Sequence, residues 1–542
     1  MEFKFDESDD PFHDRSPSFQ RDSIAARETL GQIYLAATAH LAAQFRTHVF
    51  TLLVFPKYSR LIRWDRAGMV VTSKIRHADK GHLITTFFKR FGKASPEARG
   101  VDTTVQAHGL NVVEEAKVRK LLATRSDTVL YKVLVGSKSF IIGDTVLLSA
   151  SSAFGRATRW YRAYDPTAAK NGLPCVFILK DTWRIWTPNR PTEYDILKRL
   201  EDAEVEHVPV AVCGSDVDPA LETNHRTKTQ EYVNRSWNKR QLPLRVHRHY
   251  RLVTEELDKH MQDCTTVKEA VTMIRDASIG HQQAHDKAGI VHGDVNWANI
   301  MTKRDINGIL RGYLIDWDMC KLLNEDGSLE DCDQVPERTG TWSFIAARLI
   351  AEPGPTTLQT RVDDVESFFH VLIYLASMYT SHTWGSSQGL TRFLLNYFQD
   401  HVVLDGKELG GTQKIAFFHR HGSDLLLELN NVPLSGILTH LVKALALRYP
   451  RETMSDPFDE EPEEEKMSPM DEARFYQLSS DSSWLANILT QGLALPGWDD
   501  HNEMTPHKLP DLGNEPKGLY AARKKVDCDG PPMKKKRKVQ SS

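Results

Sequence analysis

A short polar segment, HGDVNWANI at residues 292–300, constrains the fold of this chain more than any other feature of the sequence. It places an acid two residues after a histidine and an amide five residues after that acid. An aspartate that accepts a hydroxyl proton and an asparagine that binds a divalent cation need about this separation on one loop. Three fixed residues are weak evidence alone, so the rest of the chain has to supply the other parts of such a site.

Length and composition limit the class of protein. At 542 residues the chain exceeds what one hydrophobic core usually supports, so we expect two or more structural units plus tails. Its 40% hydrophobic and 26% charged residues are ordinary for a soluble protein. The formal net charge of -3 argues against nucleic-acid binding by the whole protein, and we expect no direct nucleic-acid binding. Six scattered cysteines without a CxxC pair favour a reducing compartment.

Neither a signal peptide nor a membrane span is expected. The first twenty residues are acidic and polar, whereas a signal peptide needs an apolar core. The longest apolar run, FFHVLIYLASMY at residues 368–379, is too short to cross a membrane. We interpret this run as a buried helix.

Local patterns outline the elements around the polar segment. The turn-like DRAG at residues 65–68 separates two runs rich in branched and aromatic residues, which predicts a hairpin. Apolar residues at helical spacing predict helices, and apolar runs predict strands. The predicted helices lie at residues 22–45, 112–122 and 267–287, and the predicted strands at 128–135 and 139–148.

A lysine and a glutamate in the first half of the chain match the arrangement that binds nucleotide phosphates. Lys180 lies in a strand-like run, VFILKDTW, and the amphipathic helix that follows begins with Thr192 as a plausible cap and Glu193 in its first turn. A lysine from a strand and a glutamate from the next helix can form an ion pair across the two elements. The sequence therefore predicts this ion pair.

Taken in chain order, these pieces resemble the eukaryotic protein-kinase-like superfamily. They are most similar to the fungal-type protein kinase family, in the stretches GRATR, ILKDTW, LIDWD, RTGTW and DDVESF. The resemblance covers roughly residues 22–380. It implies an α+β, bilobal protein-kinase-like fold with an N-terminal helix/hairpin extension and disordered tails. It also implies a protein serine/threonine kinase that uses ATP and Mg²⁺.

The resemblance implies five segments and a role for each matching residue. The segments are a disordered N-terminus at residues 1–21, an N-terminal helix-hairpin extension at 22–125, a kinase N-lobe at 126–258, a kinase C-lobe at 259–448, and an acidic linker with a basic C-terminal tail at 449–542. The implied roles are phosphate contact by Lys180 paired with Glu193, proton acceptance by Asp294, magnesium binding by Asn299 and Asp316, support of the loop by His292 and Asp364, backbone approach to the phosphates at Gly155, a peptide platform at Thr341, and a hinge to adenine at residues 252–255.

Each residue also has an ordinary structural interpretation. Lys180 alone is typical of a surface lysine at a strand end, and Glu193 of an acid favoured by the helix dipole. Asp316 alone could end a strand, and His292 could be a core histidine. All of these residues occur together in a compatible order, which chance alone does not readily explain. This joint order favours the functional interpretation.

Several positions depart from the protein kinase pattern. The glycine-rich loop GxGxxG is absent, and only Gly155 is left for backbone approach to the phosphates. Gly293 occupies the place of the arginine in the HRD triplet, and Asn296 stands where serine/threonine kinases usually have a lysine. Asp318 replaces the glycine of DFG, and Arg348 replaces the glutamate of APE. We therefore expect no activation by phosphorylation of the activation loop.

Two other functions stay open at this point. HGD followed by IDWD is also typical of aminoglycoside and choline kinase-like enzymes, which phosphorylate small molecules on the same fold. GTWSF and DDVES favour a protein substrate, because small-molecule kinases generally lack a peptide platform there. A binding-only pseudokinase is the third hypothesis, and the joint presence of Lys180, Asp294, Asn299 and Asp316 argues against it.

The end of the chain carries a basic cluster. Five consecutive cations resemble a monopartite nuclear localisation signal: Lys534, Lys535, Lys536, Arg537 and Lys538. A solvated charge run or an added targeting tag would have the same composition. We expect nuclear localisation through an import receptor, with the cytoplasm as the alternative, and a protein substrate as the other partner.

Overall fold

The structure, a computed structural model, covers most of the chain in segments. It describes residues 1–16, 19–143, 148–149, 152–218, 224–238, 244–257, 259–305, 307–330, 340–351, 358–384, 387–404, 407–422, 429–449 and 468–509. The acidic block at 456–466 and the basic cluster at 534–538 lie outside the described residues. The division into five segments therefore stays a prediction at these places.

The N-terminal extension is a small sheet covered by helices. Its strands are in the order β1-β2-β3-β4, with β5 paired to β3. The predicted hairpin is confirmed, since Asp65 pairs with Gly68 across the turn. Ile62 and Trp64 are fully buried in its core. The elements are β1 (Glu2–Phe3), α1 (Ile24–Ala43), β2 (Val49–Val54), β3 (Tyr58–Asp65), β4 (Gly68–Val71), β5 (Ile75–Arg76) and α2 (His77–Lys93).

The prediction of disorder for residues 1–21 is wrong for the part that the structure describes. Strand β1 runs parallel to β2. The carboxylate of Asp10 pairs with the guanidinium of Arg60 at 2.9 Å, and both side chains are fully buried. Phe12 is buried beside them in the same core. The segment is ordered because its few apolar and acidic residues find partners about fifty residues away, which a search for local periodicity does not detect.

The N-lobe is a twisted antiparallel sheet with a helix on it. The strand order is β12-β13-β11-β10-β8-β7-β6, with β9 paired to β10. In this register Lys180 lies between Trp160 and Leu252. Strand β6 comes from the predicted extension, which thus contributes to this sheet. The elements are β6 (Val105–Ala107), α3 (Val112–Leu122), β7 (Tyr131–Val135), β8 (Lys138–Ile142), β9 (Leu148–Ser149), β10 (Arg159–Tyr164), α4 (Pro166–Lys170), β11 (Val176–Ile185), α5 (Glu193–Asp202), β12 (Ala211–Asp216) and β13 (His247–Glu255).

The C-lobe is mainly helical and surrounds the long apolar helix α8. The predicted buried helix is confirmed, since almost every residue of α8 is buried. One small sheet has the strand order β14-β16-β17, and two others pair β15 with β18 and β19 with β20. The elements are β14 (Lys259–His260), α6 (Val267–Ala288), β15 (Ile290–Val291), β16 (Ile300–Arg304), β17 (Leu310–Leu314), β18 (Lys321–Leu322), α7 (Ala347–Ala351), α8 (Arg361–Tyr379), α9 (Gln388–Gln399), β19 (His401–Leu404), β20 (Lys407–Gly410), α10 (Thr412–His419), α11 (Val432–Ala446), α12 (Pro469–Ser480) and α13 (Trp484–Leu493).

The predicted end of the C-lobe at residue 448 is too early. Leu485 and Leu489 of α13 are buried in the core that also holds α8. The guanidinium of Arg361 donates to the carbonyl of Leu478, at 3.0 Å. Residues 468–509 therefore complete the C-lobe, and the acidic block that precedes them obscured this in the sequence.

The predicted α+β, two-lobed architecture is confirmed. The lobe with most of the sheet precedes the helical lobe, and the polar segment follows the first long helix of the latter. Among the described helices, none combines the length and the apolar character needed to cross a membrane.

Candidate active site

The predicted ion pair between Lys180 and Glu193 is present. Lys180 is completely buried in β11, and its Nζ lies 2.5 Å from Oε2 of Glu193. Thr192 caps α5 in a capping box, which places Glu193 at the first position of the helix, facing the strand. Nζ also lies 2.5 Å from Oδ1 of Asp316. Burial would lower the pKa of Lys180, but the carboxylates of Asp316 and Glu193 outweigh this and hold the lysine charged.

The polar segment forms a loop around the buried carboxylate of Asp294. Its Oδ1 accepts hydrogen bonds from the Thr341 backbone N–H at 2.7 Å and from the Thr341 hydroxyl at 2.8 Å. The side-chain amide of Asn296 donates to the same oxygen at 3.0 Å. Burial, together with the nearby Asp316, raises the pKa of Asp294 above its ordinary value. A carboxylate with a raised pKa is a stronger proton acceptor.

His292 and Asp364 hold the loop from behind. The Asp294 N–H donates to Nδ1 of His292 at 3.2 Å, so the proton of this imidazole is on Nε2, which donates to the carbonyl of Ile315 at 3.0 Å. Burial lowers the pKa of His292 and keeps it neutral. Asp364 accepts from the Gly293 N–H and from Nε2 of His281, each at 2.9 Å. The supporting histidine His281 was not found from the sequence, since its partner lies on another helix.

The backbone explains why Gly293 replaces the arginine of the HRD triplet. Gly293 has φ +79°, in the left-handed region that side-chain-bearing residues rarely adopt. Its carbonyl also accepts from the amide of Gln359 at 3.1 Å. An arginine here would be strained, so the departure is a property of the loop conformation.

Asn299 and Asp316 are brought together by the pairing of β16 with β17. The register places Ile300 opposite Leu314, and the Ile315 N–H donates to the Asn299 carbonyl at 2.9 Å. Asp316 follows directly in the left-handed region, with φ +64°. Burial would raise the pKa of Asp316, but Lys180 and Arg156 lower it well below its usual range. An amide and an ionised carboxylate offer the hard oxygen ligands that Mg²⁺ prefers.

Arg156 is a site residue that the sequence reasoning missed. Its guanidinium Nη1 lies 3.3 Å from Oδ1 of Asp316 and 3.2 Å from Oδ2 of Asp318. In the stretch FGRATR only Gly155 was predicted to approach the phosphates. A cation directly after the single glycine of this predicted phosphate-binding loop was the signal that could have revealed Arg156.

The loop that carries Gly155 is attached to the N-terminal extension. The Gly155 N–H donates to the carbonyl of Arg66 at 2.8 Å. The guanidinium of Arg66 donates to the carbonyl of Ala153 at 3.1 Å, and the ring of Phe154 stacks on Trp64 with centroids 5.9 Å apart. These contacts place the extension directly against the phosphate-binding region predicted from the sequence.

Thr341 and the helix after it lie where the sequence predicts a peptide platform. Thr341 contacts Asp294 directly, and the indole N–H of the next residue, Trp342, donates to the carbonyl of Asp400 at 3.1 Å. Arg348 pairs with Asp363 of α8 at 2.5 Å. The positive charge at the APE position thus has a partner in α8, which accounts for the loss of the glutamate there.

A second polar cluster lies between the extension and the N-lobe. Asp102, His225 and His249 are buried with side-chain ligand atoms close enough together to hold a metal ion. However, Arg251 already pairs with Asp102 at 2.6 Å and with Asp181 at 3.3 Å. An added divalent cation would leave uncompensated positive charge in a buried region. We therefore interpret the cluster as an ion-pair network that attaches the extension to the sheet.

Comparison with known proteins supports one assignment. A family model described as "Fungal protein kinase" matches residues 19–376 of the chain. The match spans the extension, the N-lobe, and the C-lobe almost to the end of α8. A search of curated proteins found no match.

Proposed function

The chain belongs to the fungal protein kinase family, and from this premise we propose that it is a serine/threonine kinase that transfers the γ-phosphoryl group of ATP to a protein. As a kinase it is a phosphotransferase. The observation that carries the finer proposal is the contact between the buried Asp294 and Thr341, with both the backbone and the hydroxyl of Thr341 donating to the carboxylate.

The residues around Asp316 fit Mg²⁺ and ATP. Asn299 and Asp316 would bind the magnesium ion through oxygen atoms, and Lys180 would contact the phosphates. Bound magnesium would neutralise charge that develops on the phosphates. Glu193 keeps Lys180 in place, since Nζ has a short ion pair with its carboxylate. Adenine would contact the backbone at residues 252–255, at the end of β13.

Asp294 would accept the proton of the substrate hydroxyl. Its raised pKa suits proton acceptance, and Thr341 and Asn296 fix the orientation of its carboxylate. His292 and Asp364 hold the loop so that Asp294 does not have to reorganise during the reaction.

A small-molecule acceptor is the second candidate. It is favoured by Gly293 and by Asp318, which give the chain the HGD and IDWD stretches of aminoglycoside and choline kinase-like enzymes. The contact of Thr341 with Asp294 favours a protein acceptor, because it puts the segment that would support a peptide beside the proton acceptor.

Labelled γ-phosphate transfer tests the proposal. The full-length protein is assayed with a serine/threonine peptide library and with a panel of small alcohols, including choline and aminoglycosides. We expect Mg²⁺-dependent labelling of peptides, loss of labelling in Asp316→Ala, and retention in the matched control Asp305→Ala, which changes an acid of a surface turn. Labelling of small alcohols alone would replace the protein-kinase proposal, and no labelling at all would support a pseudokinase.

We also propose that the basic cluster directs the protein to the nucleus. Five consecutive cations suit the acidic groove of an import receptor. Deleting residues 523–542 from a fluorescently tagged protein should move it to the cytoplasm without altering ATP turnover. An unchanged distribution would show that this cluster is not the signal.

A further inference from the structure

We propose that Arg156 is a catalytic residue that contacts the γ-phosphoryl group while it is transferred, an inference that rests on the proposed kinase function. The chain has a single glycine in the loop where most protein kinases have three. A loop with fewer glycines brings fewer backbone N–H groups to the phosphates. A guanidinium replaces them with a planar set of charged donors that matches phosphate oxygens.

The position of Arg156 supports this role. Its Nη1 contacts Asp316, which would bind magnesium, and Asp318. The guanidinium therefore lies beside the acid proposed to bind magnesium. The side-chain amide of Asn299, the other proposed magnesium ligand, donates to the backbone carbonyl of Asp294 at 2.9 Å, so the proposed proton acceptor adjoins the same region. In a kinase the transferred group passes between the metal-bound phosphates and the proton acceptor.

The backbone of Arg156 is fixed, so only its side chain is free to reorient. The carbonyl of Arg156 accepts from the Trp183 N–H at 2.7 Å and from the Thr182 hydroxyl at 3.2 Å, both on the strand that carries Lys180. The preceding N–H, of Gly155, is bound to the extension through Arg66. The guanidinium thus starts from a defined point beside Lys180, which reduces the entropy lost on contacting a phosphate.

Gly155 gives this loop its conformation. It has φ +79°, in the left-handed region that favours glycine, and a Cβ added to it would meet no heavy atom of the described residues within 4 Å. The glycine is therefore required by the backbone conformation and not by close packing.

The charges around Asp316 indicate how the contacts of Arg156 would change when ATP and magnesium bind. In the arrangement seen here Oδ1 of Asp316 serves both Lys180 and Arg156. If Asp316 bound magnesium, as proposed, its carboxylate would be shared with the metal ion, and its contact with Arg156 would weaken. Arg156 could then contact the phosphate oxygens of ATP, and this contact would strengthen as negative charge develops in the transition state.

Phosphoryl transfer needs no reagent other than ATP and the substrate hydroxyl. The hydroxyl oxygen of the substrate forms the new bond to phosphorus, and its proton goes to the carboxylate of Asp294. The bond between the γ-phosphorus and the bridging oxygen breaks, and its electron pair leaves with ADP. Arg156 forms no covalent bond in this step and acts only through hydrogen bonds and charge.

The test uses the full-length chain with Arg156→Ala and Arg156→Lys, and Arg125→Ala as a matched control. The side chain of Arg125 is exposed and pairs with Asp127. Two quantities are measured: kcat for peptide phosphorylation, and the affinities for Mg·ADP and for a non-hydrolysable Mg·ATP analogue by calorimetry. Thermal unfolding of each variant shows that it is folded.

We expect Arg156→Ala to lower kcat on the order of 10³-fold, as removal of an arginine from a phosphoryl-transfer site does. We expect its affinity for the ATP analogue to fall roughly tenfold or more, with affinity for ADP changed about twofold at most. Arg156→Lys, which keeps the charge beside Asp316, should fold as the wild type and still lose most of kcat, because an ammonium lacks the planar donor set. Arg125→Ala should change neither quantity.

Three results would overturn the inference. If folded Arg156→Ala keeps kcat, the guanidinium only pairs with the acids. If ADP and the ATP analogue lose affinity equally, Arg156 does not contact the γ-phosphate. If the wild-type chain binds no Mg·ATP analogue at all, the proposed function fails and this inference fails with it, whereas the first two results leave the proposed function intact.

Discussion

At the scale of single residues, Lys414 is a cation in an unfavourable environment. Its side chain is buried in α10, and its Nζ donates to the carbonyl of Ile345 at 2.7 Å. Burial lowers the pKa of Lys414 to about 7, although Glu366 and Asp400 oppose the shift. The folded protein therefore binds this proton more weakly than the unfolded chain does.

This shift gives a pH-dependent prediction. Between pH 7 and the ordinary lysine pKa of 10.5, the unfolded chain holds more protons at Lys414, so the free energy of unfolding rises with pH in this range. Below pH 7 Lys414 is charged in both the folded and the unfolded chain, so the full cost of burying the charge lowers the free energy of unfolding. Lys414→Met should remove a pH-dependent penalty on the order of a few kcal/mol, so the variant gains most at pH 6 and least near pH 10.

Chemical denaturation across pH 6 to 10 measures this difference. The control is Lys443→Met, which removes an exposed lysine from α11. Identical pH profiles for both variants would show that Lys414 titrates normally and that its burial costs nothing.

At the scale of elements, the first strand and the segment after it are part of the extension. Arg60 of β3 is fully buried and pairs with Asp10 and Asp14. The phenol of Tyr58 donates to the same Asp10 carboxylate at 2.9 Å. Removing one partner of a buried ion pair leaves a desolvated charge, which is costly.

We therefore expect Asp10→Ala to lower the free energy of unfolding by about 3–5 kcal/mol, measured by urea denaturation. Asp22→Ala, an exposed acid of the same region, is the matched control and should change it by less than about 1 kcal/mol. Equal stability of the two variants would mean that the leading segment is not attached to the fold and that the sequence-based expectation of disorder was right.

Local sequence patterns predicted the helices and strands whose apolar residues recur at regular spacing. Helices α3 and α8 and the hairpin of β3 with β4 were found, because capping residues, apolar spacing and turn residues are all local signals. The roles of Asp10 and of His281 could not be found this way. Their partners, Arg60 and Asp364, lie far along the chain, and only the fold brings them together.

At the scale of the whole molecule, the chain order of the motifs predicted most of the site geometry. Lys180, Glu193 and Asp316 form one connected set of short contacts, as the series of strand lysine, helix glutamate and strand-end acid suggested. The position of Arg156 was not predictable from that series. It depends on a loop that the N-terminal extension holds through Arg66.

The structure also predicts where the chain can be shortened. Residues 468–509 bury apolar side chains against the C-lobe, among them Leu478, Leu485 and Leu489. Each fully buried leucine contributes about 1.5–3 kcal/mol. A chain ending at residue 509 should unfold at the same temperature as the full chain. A chain ending at residue 449 should be less stable by on the order of 5 kcal/mol or more, and calorimetry of the two compares them directly.

Equal melting of the two truncated chains would contradict this account. It would restore the boundary at residue 448 that the acidic block suggests, with α12 and α13 contributing nothing to the C-lobe.

The central claim is that this chain is an active kinase in which Asp294 accepts the substrate proton, and single-turnover phosphoryl transfer tests it most directly. Wild type and Asp294→Asn are compared for transfer of the γ-phosphoryl group to a peptide, with the affinity for Mg·ATP measured on the same samples. We predict that Asp294→Asn slows transfer by about 10²–10⁴-fold, because an amide cannot accept the proton, while nucleotide affinity stays within about twofold. Transfer at the wild-type rate in Asp294→Asn, or a wild type that binds Mg·ATP and transfers nothing, would contradict it.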